Sequence, residues 1–491
     1  MMRIDKRKNK CYHYNNILCS PNKFSKGPIV NMTSKYDTRL PFPTVLQKLR
    51  AVLSSPVAYT VIFLTAACFT LLGREVHGAL VFVLIISVYL IVFDDLISSM
   101  LPFLLICTFT LKCYDSFDTF MAYKWFALPA IAAVIFHFSY YRKRITFGEN
   151  FTGICAVAVA VTLGGLCSIS SEDYFRLVSL YYVFALGLGM VGGYLLVRAS
   201  LEGRSVEESS KRFAAFMYLW GVFAMYMVYH FVFTNAEVIV DTNSIPDFQW
   251  SNNISTVMMF ALPFPFYFGL KKWWHMIPGY LMYVAIMLTG SRGGMILGTA
   301  EILIITIYVI FASGKHLQRL IAVGTMAIAA LVVINNTFGL SELLNFDSLK
   351  KPEEFISSGE PRIILLKRSF EDFKSNILFG RGLGYQGNID AYNPKKGALN
   401  FYHMMIPQII GSMGLCGIIG YGWQFILRIR TLLRRINNYT VCLFISYLGV
   451  FMMSQVNPGE FVPLPYSLIA VTIFIIMEKQ TPIYVNSTSI D

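Results

Sequence analysis

The chain has 491 residues, of which 55% are hydrophobic, 15% aromatic and only 14% charged, with a mean hydropathy of +0.56. Soluble chains carry about a quarter charged residues, so these values exclude an ordinary water-soluble enzyme and describe a polytopic membrane protein. The formal net charge of +13 is spread in short clusters between apolar runs, as in loops that face anionic headgroups, and no nucleic-acid partner is expected.

Residues 1–53 are basic, polar and broken by Pro21, Pro28, Pro41 and Pro43, which predicts a flexible cytoplasmic tail. No cleavable signal peptide is evident, and Met1, Met2 and Met32 are all candidate starts. A bilayer-crossing helix needs about 20 mostly apolar residues. On that measure about fourteen spans are expected, at 54–72, 79–93, 96–111, 119–141, 151–168, 175–197, 213–233, 254–270, 276–289, 294–313, 320–335, 404–427, 439–455 and 462–477. The fold class is therefore all-α, a polytopic transmembrane helical bundle. The nine cysteines contain no CxxC pair, so neither a disulfide framework nor a zinc site is indicated.

The loops orient the spans, because Lys and Arg concentrate on the cytoplasmic side. "RKR" at 142–144, "KKWWH" at 271–275, "GKHLQR" at 314–319 and "RIRTLLRR" at 428–435 fall on the side of the basic tail, whereas 168–174 and 234–253 are neutral or acidic. Both termini are expected in the cytoplasm. The expected organisation is a tail at 1–53, spans 1–11 at 54–335, a large outer loop at 336–403, spans 12–14 at 404–478 and a cytoplasmic tail at 479–491. The adjacent acids Asp94 and Asp95 are read as a short solvated turn on the cytoplasmic side.

The outer loop carries many cations despite its position, and a long loop usually has a function. Within it Ile363, Leu366, Phe370, Phe373 and Ile377 recur at helical spacing behind Pro361, with Arg368 and Asp372 on the opposite face. This predicts a helix beginning at Pro361 and lying on the outer membrane surface.

Three stretches could carry chemistry. In "LTGSRGGMILG" at 288–298, Ser291 is a good N-cap, and Arg292 stands at the outer start of a helix whose positive end and free N–H groups favour an anion. In "LFGRGLGYQG" at 378–387, Arg381 lies among glycines such as Gly382 that can turn consecutive N–H groups into an anion-binding nest. In "ALNFYHMMIPQIIGSMGLCGIIG" at 398–420, His403 precedes a helix start, where the positive end favours a neutral imidazole that can act as a base. Tyr402 is a candidate to stack on a sugar ring. Glu301, about two turns below Arg292, is a membrane-buried acid and a candidate to pair with a cation. Lys124, His137, Arg176 and His230 are the remaining polar residues near spans. Two arginines, two helix starts and one base at the outer face suit glycosyl transfer from a polyprenyl diphosphate, since cations held near the departing phosphate stabilise the charge that builds there.

An outer-boundary "SR", a large loop with an arginine-led helix and a "GxGLG" turn, and a histidine before "GxxGxxG" resemble the O-antigen polymerase and O-antigen ligase superfamily, over about residues 288–420. The resemblance implies a GT-C-type integral membrane glycosyltransferase that uses an undecaprenyl-diphosphate-linked oligosaccharide at the outer face of the bacterial cytoplasmic membrane. It implies no metal and no cofactor, consistent with Glu75 as the sole acid of the first outer loop. The acceptor is a glycan or a lipid-linked glycan, and membrane lipids are the other partner. The base maps onto His403 and the diphosphate ligands onto Arg292, Arg381 and Arg362, with Ser291 and Gly382 beside them. The family often has asparagine after the histidine, where this chain has Met404, so Glu360, Asp390 and Glu460 stand as alternatives for the base. Polymerase and ligase both fit. The competing class, a flippase or other transporter of a lipid-linked oligosaccharide, requires polar groups along a path through the midplane, whereas here the cations gather on one outer loop. A sensor or scaffold would not need the arginine, glycine and histidine arrangement.

Overall fold

The structure, a computed structural model, describes residues 43–112, 122–167, 183–242, 250–319, 321–324, 361–383, 402–457 and 464–482. All regular structure among them is helical: α1 (Pro43–Leu53), α2 (Pro56–Leu71), α3 (Glu75–Val92), α4 (Met100–Lys112), α5 (Ala127–Tyr141), α6 (Phe151–Cys167), α7 (Met190–Ser200), α8 (Val206–Thr234), α9 (Ala236–Thr242), α10 (Ser251–Ala261), α11 (Pro263–Gly269), α12 (Met276–Leu288), α13 (Arg292–Ala312), α14 (Pro361–Ser375), α15 (Met405–Leu433), α16 (Asn438–Met453) and α17 (Leu464–Lys479). Contacts divide the chain into Met1–Gln47 and Lys48–Asp491, and apart from the first residues of α1 all these helices belong to the second unit.

Local signals set the helix starts. Ser55 caps α2, accepting the Ala58 N–H at 3.2 Å ahead of Pro56 in the first turn, and Ser205 caps α8 with Glu207 and Glu208 in the first turn, where acids favour the helix dipole. Asn437 and Thr440 form a reciprocal capping box at α16. The core then follows helical spacing: on α8, Phe213, Phe216, Met217, Trp220, Phe223 and Ala224 are all buried, and the Trp220 indole donates to the Thr108 hydroxyl at 2.6 Å.

Helices occupy every expected span within the described residues; the eleventh, 320–335, lies almost wholly outside them. The number is a different matter. Among the described residues four helices, α3, α8, α13 and α15, are both long and apolar enough to cross a bilayer, so about fourteen full spans are not confirmed. Three expected spans are interrupted locally: the eighth is broken at Leu262–Pro263 into α10 and α11, the third begins as a 3₁₀ turn at Ile97–Ser99, and the sixth contains a π-helical turn at Ala185–Gly189. Large apolar side chains nevertheless face outward, Val57, Ile135, Phe311 and Ile419 among them, a surface that suits lipid and not water. The protein is a membrane protein.

The two ends of the helices differ in chemistry. At one end the basic clusters meet acids: Arg435 grips Glu149 at 2.8 and 3.1 Å, Arg198 bonds Glu478 at 2.5 Å, and Lys479 pairs with Glu202 at 2.7 Å. Gln318 donates to the Gly269 and Leu270 carbonyls at the same end. Asp94 and Asp95 correct the expectation of a solvated turn, because both are buried here. Asp94 pairs with Lys143 at 3.1 Å and with Arg204, and Asp95 accepts from the Ser98 N–H at 2.8 Å and faces Arg212. A buried acid pair persists only with such compensation.

Candidate active site

The candidate site occupies the opposite end, where α10, α13 and α15 begin and α16 finishes. At the start of α13, Ser291 is N-cap as predicted: its oxygen accepts the Gly294 N–H at 3.0 Å. The Ser291 hydroxyl proton goes to Asn252 Oδ1 at 2.6 Å, and the side chain is buried. Its hydroxyl is thus engaged with Asn252 and with the helix start. Arg292, the first residue of α13, is exposed.

The helix α14 begins at Pro361, as its sequence predicts. Leu366, Phe370 and Ile377 on the apolar stripe are exposed. The opposite face is not in water, however: Leu365, Ser369 and Asp372 are buried, and the helix packs on α15. Arg362 lies in the first turn, but its side chain lies outside the described residues, as do Glu360, Asp390 and Glu460 in full.

The segment 377–382 and α15 interlock. Gly414 has φ +59° and ψ −145°, which interrupts the helix, and carbonyls and N–H groups freed at the interruption find partners in the segment. The N–H groups of Arg381 and Gly382 donate to the carbonyls of Gly411 (2.9 Å) and Ser412 (3.1 Å), and those of Leu415 and Cys416 donate to Ile377 (2.9 Å) and Leu378 (3.1 Å). The two backbones are so close that a Cβ on Gly380 would lie 2.6 Å from the Gly411 carbonyl oxygen, and one on Gly414 would lie 2.5 Å from that of Ile377. Of the expected nest at 378–387, the part beyond residue 383 lies outside the described residues. The N–H groups of Arg381 and Gly382 are spent on α15, so Gly382 contributes backbone shape, and the Arg381 guanidinium is what this part of the segment offers an anion.

His403 is half-buried, two residues before α15, with φ +55°. A left-handed backbone at a non-glycine residue is uncommon and is maintained only where the surroundings fix it. They do so here: the Tyr402 N–H donates to Gln408 Oε1 at 3.0 Å, the Met405 N–H donates to the Ser454 carbonyl at 2.8 Å, and the Tyr402 hydroxyl donates to Asp372 Oδ2 at 2.5 Å. Tyr402 is buried, which removes it as a platform for a sugar ring.

Contacts link these parts. Gly293 lies against Val456 and Met453 at the end of α16, Ser454 receives the start of α15, and Tyr402 reaches Asp372, whose Oδ1 lies 3.8 Å from Arg381 Nε and 3.5 Å from Arg368 Nε. Arg292, Arg381 and His403 thus belong to one end of the helices. Burial raises the Asp372 carboxyl above its ordinary value, opposed by the Tyr402 hydrogen bond and the two guanidiniums. Sequence reading missed this hub; its signal was Arg368 four residues before an acid on a strongly basic loop.

Glu301 does not join the site. It is fully buried along α13 against Gly449, and neither carboxyl oxygen has a hydrogen-bond partner among the described residues, contrary to the expected cation pair. Arg176 lies outside the described residues, and His137 is occupied by the Leu90 carbonyl at 2.8 Å. Among the described residues no group of three or more His, Cys, Asp or Glu could hold a metal ion.

Residues 279–422 match a family model described as O-antigen ligase. The matched stretch includes α13, α14, the interlocked segment and the first half of α15, and with them Arg292, Arg381 and His403. No curated protein matches the chain.

Proposed function

From a chain that belongs through residues 279–422 to the O-antigen ligase/polymerase superfamily, we propose a membrane glycosyltransferase that moves an oligosaccharide from a polyprenyl diphosphate to a saccharide acceptor at the outer face of the bacterial cytoplasmic membrane. The site end faces outward and the basic end faces the cytoplasm, which agrees with the distribution of cations. The carrying observation is that His403, Arg381 and the start of α13 with Arg292 are linked at one end of the helices, with His403 fixed in a left-handed backbone conformation.

His403 removes the proton from the acceptor hydroxyl. The acceptor oxygen bonds to the anomeric carbon as the bond from that carbon to the diphosphate oxygen breaks, and the electron pair leaves with the diphosphate. Arg292 and Arg381 hold the leaving group, where fixed cations act on charge that grows in the transition state. Arg362, in the first turn of α14, is a further candidate ligand for the same group. The apolar stripe of α14 rests on the membrane surface beside the lipid carrier.

The test is transfer by the purified chain from a polyprenyl-diphosphate oligosaccharide in the presence of chelator. His403→Ala abolishes transfer, and Arg292→Ala and Arg381→Ala each slow it by about 10²-fold or more. Arg292→Lys restores only part if the contact is bidentate. Product analysis separates polymerase from ligase, since a growing lipid-linked chain marks the former. Full activity in all three alanine variants sinks the reading, and a folded, donor-binding wild type without turnover redirects it to transport of the same lipid.

A further inference from the structure

Asp372 is an acid in the midst of a site proposed to bind an anion, and its surroundings explain it. It is 2% exposed, while its neighbours Glu371 and Lys374 are exposed. Its two oxygens are divided: Oδ2 takes the Tyr402 hydroxyl at 2.5 Å, and Oδ1 faces the Nε atoms of Arg368 at 3.5 Å and Arg381 at 3.8 Å. The three partners come from one turn earlier on α14, from the interlocked segment, and from the residue before His403. Both guanidinium side chains are more than a third exposed, at 37% and 39%. Two guanidiniums converge on one carboxylate oxygen, the exposed Glu371 lies 3.7 Å from Arg368 Nη1, and planar guanidinium forks suit the several oxygens of a diphosphate.

We propose that Asp372 is a positioning residue that holds Arg368 and Arg381 side by side as a two-guanidinium receptor for the donor's diphosphate and, through Tyr402, fixes the segment carrying His403. This rests on the glycosyl-transfer reading above. Arg368 becomes a donor-binding residue, and Tyr402 acts through the conformation of His403 without touching substrate.

The purified full-length chain is assayed with a polyprenyl-diphosphate oligosaccharide, and inorganic diphosphate serves as a competing probe. Arg368→Ala raises KM for the donor about tenfold and weakens inhibition by diphosphate to the same degree, with kcat little changed. Tyr402→Phe lowers kcat several-fold at unchanged KM. Asp372→Asn keeps the shape but removes the charge, and does both. Asp372→Asn combined with Tyr402→Phe has a kcat scarcely below that of Asp372→Asn alone, because Tyr402 acts through that carboxylate. Wild-type KM and kcat in Asp372→Asn, or effects that multiply in the double variant, overturn the proposal. Complete loss of kcat in Asp372→Asn with wild-type behaviour in Tyr402→Phe and Arg368→Ala also overturns it, by making Asp372 the base. If Asp372→Asn fails to fold, Arg368→Ala and Tyr402→Phe decide, and wild-type kinetics in both refute it. His403→Ala separates the two readings: inactivity there with a wild-type Asp372→Asn defeats the receptor alone, whereas full activity defeats the transfer mechanism.

Discussion

Ser291 and Arg292 are adjacent in sequence and differ in task. The Ser291 side chain is buried, caps α13 and donates to Asn252, while Arg292 is exposed at the helix start. Ser291→Ala therefore lowers stability by about 1 kcal/mol, the usual worth of a cap, visible as a lower melting temperature in detergent. Arg292→Ala melts near the wild type but loses transfer. An equal fall in melting temperature for both variants contradicts this division. The cap and Arg292's place at a helix start were legible in sequence because they depend on a few neighbouring residues. Asp372 was legible only as a polar residue opposite an apolar stripe, since its partners Arg381 and Tyr402 are brought to it by chain folding.

At the scale of elements, α14 and α15 behave as one piece. The start of α14 was legible from Pro361 and its periodicity. The interruption at Gly414 was not, because "GxxGxxG" in an apolar run also describes close helix packing. What distinguishes it is φ +59° together with the four backbone bonds to 377–382. Gly414→Ala meets both costs, a backbone conformation at φ +59° and ψ −145° that is essentially glycine's alone and costs an L-residue about 1–3 kcal/mol, and a methyl driven against the Ile377 carbonyl. The variant should lose transfer and melt lower, with easier proteolysis of the 361–402 region. Wild-type melting and proteolysis would refute the interlock.

At the scale of the molecule, basic clusters stand at one end of the helices and the candidate site at the other. That sorting was legible in the loops, because charge distribution constrains topology directly. The local interruptions of the spans were not, because hydropathy does not register the break at Leu262–Pro263 or the 3₁₀ turn at Ile97–Ser99. The basic end has a pH signature. Arg435 first, and Arg434 with it, holds the Glu149 carboxyl below its usual range, and Lys479 does the same for Glu202. Lowered carboxylates stabilise the fold above the unfolded value, about 4.3 for glutamate, and that contribution disappears as pH falls through the folded value. Melting temperature should therefore fall on acidification below about pH 4.3, less steeply in Glu149→Gln; equal slopes would contradict the clamp.

The shared backbone bonding of 377–382 with 411–416 also sets the borders for engineering. Exchanging the segment that leads into α15 between related proteins invites cuts near residue 403, yet such a cut separates carbonyls from the N–H groups that satisfy them. A workable cassette runs from the beginning of α14 past Cys416, carrying the first half of a membrane helix along with the segment.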